Sequence, residues 1–264
     1  MGVRAPKARK HLSADALLSV VCSLFATSAD ARRNEAVIPL TDACMAGFAM
    51  ISLKCPALLD CDWQRADGNL QTIYGIERVP CDSDMRELRD PVVPDALRPV
   101  CTGVFRQLQR GKALEAMGFF QGCYLLALDG TGYFSSNTIP GSSCLETHPR
   151  DGSIPYSHQL LGAALIHPDR REGIPLMPEA SLKPEGREKN ECARNAAKRL
   201  LAKLRRDHPH LPVIVTEDGR SSHAPHLDTL QAYGGHYLLG GKEGDHGYLF
   251  AQVRAAELAG RVQH

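Results

Sequence analysis

No C-x-x-C pair occurs anywhere in this chain, although it holds nine cysteines. They are scattered and odd in number, from Cys22 to Cys192. That spacing argues against a disulfide framework and for free thiols in a reducing compartment. No stretch reaches the ~20 consecutive apolar residues that a membrane span needs. The most apolar segment, Ile38–Leu53, carries Thr41 and Asp42 and reads as a core helix. No charged start leads into an apolar run with a cleavage site, so a secretory leader is not expected. Charge of one sign is missing too. The net charge is +1, so any basic surface must be local. Trp63 is the only tryptophan and is expected to pack in a helical core. These absences predict a cytoplasmic protein without a membrane segment.

What is present suffices for folding. The chain has 264 residues, 43% of them apolar, which is room for one large domain or two small ones. Residues 1–118 read as helical. After a basic stretch at 1–10, Ser13 caps a helix over Ala14–Ala26, with Leu17, Leu18, Val21, Leu24 and Phe25 on one face. Arg32 and Arg33 fall in a basic loop. A second helix is expected over Thr41–Leu53, and a short one near Ser83 with Ser83 or Asp82 as its cap. A cleaner helix follows Pro94-Asp95, with Leu97, Val100, Cys101, Val104, Phe105 and Leu108 at helical spacing.

The period then changes. Cys123–Leu128 is a short apolar run that ends in Asp129-Gly130-Thr131-Gly132. It predicts a buried strand with Tyr133–Ser136 as its hairpin partner. Asp129 then either opens an Asp-Gly turn or presents a carboxylate at a sheet rim. Leu160–His167 and Ile174–Met177 read as two further strands, and residues 137–157 as loop. Glu188–Arg206 predicts a helix with Ala193, Ala196, Ala197, Leu200, Leu201 and Leu204 on its buried stripe. Its basic residues form a solvated face or a surface for phosphate backbones. Leu211–Thr216 is a fourth strand, Ala224–Tyr233 a helix closed by Gly234, His236–Leu239 a fifth strand, and Tyr248–Leu258 a last helix.

A crossover helix should return the fourth strand parallel to the first. Val213–Thr216 runs into Glu217-Asp218-Gly219 as Cys123–Leu128 runs into Asp129-Gly130. If the two strands are neighbours, Asp129 and Asp218 stand side by side at one sheet edge. Two adjacent ionised carboxylates call for a cation, and hard oxygen ligands suit Mg²⁺ or Mn²⁺. With a third acid, such a pair supports in-line displacement at phosphorus.

Five stretches sharpen this: Leu126–Ser136, Tyr156–Glu179, Lys189–Pro209, Val213–Gly219 and His236–His246. With them, the chain from His11 to His264 resembles bacterial insertion-sequence DDE transposases, the group with an RNase H-like catalytic domain. The resemblance implies an α/β (α+β) chain: a helical domain at 1–118 for DNA ends or dimer contacts, then a mixed five-stranded RNase H-like sheet with helices at 119–264. It implies that Asp129 and Asp218 are the first two catalytic, metal-binding acids, with Mg²⁺ or Mn²⁺ as cofactor. It implies double-stranded DNA as partner, at element ends and target, and a possible homodimer. Asp218 rather than Glu217 matches the pattern.

The third acid of the family is a Glu on a helix well beyond the fifth strand, and no late acid here matches it. The expectation is therefore a truncated domain, weakly active or inactive. Relatives often carry a C-x-x-C and a His between the first two strands. Here Gly141 replaces the first cysteine and only Cys144 and His148 remain, too few ligands for structural zinc. His158 and His167 flank the second strand and read as structural. Lys242 is a solvated turn lysine or a phosphate contact. Besides transposase, two readings stay open: a non-catalytic DNA-binding protein that modulates a full-length transposase, and a metal-dependent nuclease.

Overall fold

The computed structural model describes residues 11–30, 37–141, 144–149, 152–181 and 193–261. The basic stretch 1–10, Arg32, Arg33, residues 188–192 and the side chain of Trp63 lie outside the described residues. The chain divides into two compact units, with the boundary between Ala116 and Met117.

The first unit is helical. Helix α1 (Ala14–Ala26) begins at Ser13, whose Oγ accepts a hydrogen bond from the Ala16 N–H at 3.2 Å. α2 (Leu40–Ser52) lies largely within the core. Short helices α3 (Leu58–Trp63) and α4 (Asn69–Thr72) occupy the polar, glycine-broken stretch that follows. α5 (Asp82–Arg89) is capped by Cys81, not by Ser83 or Asp82 as expected. The Cys81 Sγ accepts from the Asp84 N–H, and the Asp84 carboxylate accepts from the Cys81 N–H, a capping box built with a thiol. α6 (Arg98–Arg110) follows a 3₁₀ turn at Pro94–Leu97 and ends at Gly111. Val21, Phe25, Met45, Ala46, Leu70, Ile76, Met85 and Val100 form the core of this unit. Asp42, buried within it, accepts the Arg78 backbone N–H at 2.8 Å, so its carboxylate is not left unpaired.

The second unit is built on one mixed sheet of six described strands, where five were expected. β1 (Tyr124–Ser136) is longer than the sequence suggests. Tyr133–Ser136 continues the same strand and is not its hairpin partner. Asp129 therefore sits within a strand rather than in a turn. The reason is non-local: Leu160, Leu161 and Gly162 pair with Thr131, Gly130 and Asp129 and hold the Asp-Gly-Thr-Gly stretch extended. The stretch 137–157 supplies a further strand, β2 (Leu145–Glu146). β3 (Tyr156–Ile166) and β4 (Ile174–Ser181) follow, and β3 runs antiparallel to β1, β2 and β4.

Helix α7 (Ala193–Asp207) then crosses over, and β5 (Val213–Glu217) returns parallel to β1. α8 (Ala224–Tyr233) leads to β6 (His236–Leu239), parallel to β5, and α9 (Gly247–Leu258) follows. Across the sheet the order is β2-β3-β1-β5-β6, with β4 also on β3. The apolar stripe of α7, Ala196, Ala197, Leu200, Leu201 and Leu204, is buried. Among the described residues, no helix is long and apolar enough to cross a membrane.

Candidate functional site

Strand pairing fixes the two aspartates. The last paired residues of β1 and β5 are Ala127 and Thr216. Asp129 and Asp218 each stand two places further on, in matching register: Asp218 just past the end of β5, and Asp129 still within β1, where β3 continues to pair with it. Asp129 is exposed, and the Asp218 side chain is 57% exposed. Beyond Asp218 the chain leaves β5 toward β6, while β1 continues alongside β3, so the pairing of the two parallel strands stops at this level.

Side-chain alternation separates Asp218 from its neighbour Glu217. Glu217 shares a face with Val213 and Val215, both buried. Its carboxylate is 4% exposed and lies 2.7 Å from Nε2 of His226 on α8, itself 1% exposed. A carboxylate only accepts, so Nε2 carries the proton of this bond. Nδ1 of His226 has no hydrogen-bond partner among the described residues. Glu217 is thus committed to the interior, and Asp218 faces outward.

Two loops meet beside Asp218. Gly219 and Gly240 approach so closely that a Cβ on Gly240 would lie 3.0 Å from the Gly219 nitrogen. The Ser222 hydroxyl donates to the Gly240 carbonyl at 2.6 Å. His246 bridges both loops: Nε2 donates to the Ser222 carbonyl at 2.9 Å, and Nδ1 lies 3.1 Å from both the amide nitrogen and the carbonyl oxygen of Lys242. Lys242 Nζ lies 3.8 Å from Asp218 Oδ2.

The Ser222 and Lys242 carbonyls accept from the two N–H groups of the protonated ring, favour imidazolium and raise the His246 pKa above the ordinary histidine value. A raised folded pKa means that the stabilising contribution of protonated His246 is complete below the unfolded pKa, ~6.5. It is lost as pH rises through the higher folded value. An NMR titration of the His246 ring should give a midpoint above that of an unstructured histidine. A midpoint at or below it contradicts the bridge.

The basic residues of α7 are largely spent inside the unit. Arg199 Nε donates to Glu179 Oε1 at 2.8 Å, and Lys203 Nζ to Glu179 Oε2 at 2.9 Å. Arg205 donates to the Tyr233 carbonyl and lies over the Tyr233 ring, 4.2 Å from its centre. Arg206 pairs with Asp207. Most of this helix therefore offers cations to its own fold rather than to a phosphate backbone.

Cys144 is buried, and its Sγ lies 3.3 Å from Nε2 of His158. The His158 ring stacks on Tyr133. His148 is 62% exposed and lies 3.7 Å from Glu146. Cys144 is thus joined to His158, a pairing that the sequence alone does not reveal. His167 accepts the Asp169 N–H at Nδ1 and packs edge-on to Phe119. The described cysteines are free thiols. Among the described residues, no group of three or more His, Cys, Asp or Glu side chains is arranged to hold a metal ion.

No family model matches the chain, and no curated protein matches it.

Proposed function

We propose that the second unit is an RNase H-like catalytic domain of the DDE-transposase type, acting on double-stranded DNA in the cytoplasm, with Asp129 and Asp218 as its first two acids. One observation carries the reading: the common register of these two residues, Asp129 within β1 and Asp218 just past the end of β5, two places beyond the last pair of these strands. The strand plan supports it. Leaving out the two-residue β2, the order is third, second, first, fourth, fifth, with only the second strand antiparallel to its neighbours. A mixed sheet in which the fourth of these strands lies parallel to the first is what the resemblance leads one to expect. The burial of Glu217 against His226 removes the competing acid.

Two carboxylates fit a hydrated Mg²⁺ or Mn²⁺, since Mg²⁺ commonly takes one or two carboxylates and keeps several waters. When bound, such ions activate a water or 3′-hydroxyl and stabilise the leaving oxygen at phosphorus. Asp129 and Asp218 would hold the cation, and Lys242 would contact a phosphate beside it. The first unit recognises DNA ends or contacts a second copy in a homodimer. With two acids rather than three brought to this edge among the described residues, the chain alone joins DNA strands weakly or not at all. The same observation favours a second reading, a non-catalytic fragment that modulates a full-length transposase.

A Mg²⁺-dependent cleavage and joining assay tests both. The substrate is the DNA flanking the protein's own coding sequence, and the protein is purified residues 1–264. The expected result is salt-dependent duplex binding with little or no joining. Duplex binding that survives Asp218→Asn favours the modulating fragment. Robust joining that Asp129→Asn abolishes overturns the two-acid reading, and a failure to bind duplex overturns both.

A further inference from the structure

The backbone around Lys242 is fixed while its charge is held loosely. His246 and Ser222 pin the loop through the bonds given above. The lysine stem runs along Gly219, where a Cβ would lie 3.0 Å from Lys242 Cγ. At 3.8 Å the contact of Nζ with Asp218 is a charge contact, longer than a hydrogen bond, and both side chains are about half exposed. An exposed ion pair of this kind is readily exchanged. Four methylenes let the ammonium swing without moving the loop.

We propose that Lys242 is an exchangeable counter-cation: it neutralises Asp218 until a DNA phosphodiester draws it away, so that phosphodiester and divalent cation bind cooperatively at this edge. The inference rests on the reading of Asp129 and Asp218 as a cation site. Its physics is Coulombic. An ammonium beside Asp218 repels an incoming divalent ion and competes for the same carboxylate oxygen. A phosphate offers the ammonium another anion and adds negative charge near the ion. Each ligand then favours the other by the same factor, as linkage requires. Lys242 thus serves both sides of one exchange, whereas a plain phosphate contact would leave metal affinity untouched.

Mn²⁺ titrations of the full chain, followed by electron paramagnetic resonance, test the exchange. They are run with and without a short blunt-ended DNA duplex, and Mn²⁺ taken up by the duplex alone is subtracted. In the wild type, saturating duplex tightens Mn²⁺ about threefold to tenfold, a range set by one unit charge acting on a divalent ion at a few ångströms in a wet site. Lys242→Met binds Mn²⁺ tightly without duplex and gains little when duplex is added. Lys242→Arg keeps the wild-type coupling. If Lys242→Met follows the wild type in both series, the exchange is overturned while the cation site stands. If wild-type Mn²⁺ binding is unaffected by Asp218→Asn, the cation site itself is overturned, and the exchange with it.

Discussion

Asp218→Asn weakens Mn²⁺ binding at the sheet edge by at least about tenfold, while Glu217→Ala leaves it within about threefold and lowers stability instead. The two residues are neighbours in sequence with opposite environments. Asp218 is 57% exposed, and Glu217 is 4% exposed against His226. In the proposed cation site, removing one of two hard oxygen ligands would remove most of the binding. Truncating Glu217 leaves the Nε2–H of His226 buried beside an unpartnered Nδ1. Leaving a buried donor unsatisfied costs about 1–3 kcal/mol. Isothermal titration with Mn²⁺ and a thermal melt, run on both variants, separate the two effects. Equal loss of Mn²⁺ binding in both would mean that outward and inward facing do not distinguish these acids.

The second large effect lies two strands across the sheet, where Glu179 of β4 pairs with Leu161 of β3, itself opposite Gly130 of β1. Glu179 on β4 is 8% exposed and accepts from both Arg199 and Lys203 of α7. The cations are four residues apart, so both project from one helical face toward one carboxylate. The Arg199 guanidinium also donates to the Ala180 carbonyl at 2.8 Å, tying the helix to the strand twice. Glu179→Ala leaves two cations facing a sheet without their anion. Their side chains are 35% and 21% exposed, so water recovers part of the loss. The expected destabilisation is about 2–4 kcal/mol, toward the lower part of the range for broken buried pairs. That lowers the melting temperature by roughly 10 °C. Replacing all three side chains by apolar residues of similar volume should recover most of it, because a buried ionic cluster is often close to neutral against a hydrophobic one. A Glu179→Ala melt unchanged from the wild type would show that the cluster does not hold α7 to the sheet.

Much of this fold could be read locally. α8 spans Ala224–Tyr233 as its pattern predicts, and Gly234 closes it with φ of +74°, a backbone that favours glycine. β6 spans His236–Leu239, and the buried stripe of α7 follows helical spacing. What misled was chemistry settled by distant partners. Asp-Gly-Thr-Gly has every local mark of a turn, yet pairing with β3 keeps it extended and carries β1 on to Ser136. β2 is two residues long, too short for any period to register. Cys81 as a helix cap escapes notice because a thiol is a weak acceptor beside Ser83 or Asp82. The charges of α7 look like a solvent face until β4 supplies Glu179.

The candidate site divides the same way. The two apolar runs that lead into Asp129 and Asp218 are visible in the sequence, and a crossover helix constrains their direction. Their shared register is not visible, since no residue pattern says how far two parallel strands slide. Periodicity alone does not choose between Glu217 and Asp218 either, although the family resemblance does; their environments depend on which side of β5 receives α8 and His226. Lys242 lies 24 residues beyond Asp218 in sequence, and only the close approach of Gly219 and Gly240 brings the two together.

The central claim, that Asp129 and Asp218 hold one divalent cation between them, is tested most directly by paramagnetic broadening. Substoichiometric Mn²⁺ is added to the isotopically labelled chain, and backbone amide signals are followed by NMR. Broadening that begins together at Leu128–Gly130 and Glu217–Gly219, and that Asp218→Asn removes from both segments, is the predicted result. Broadening of one segment without the other, or first at a different set of acidic residues, would contradict it.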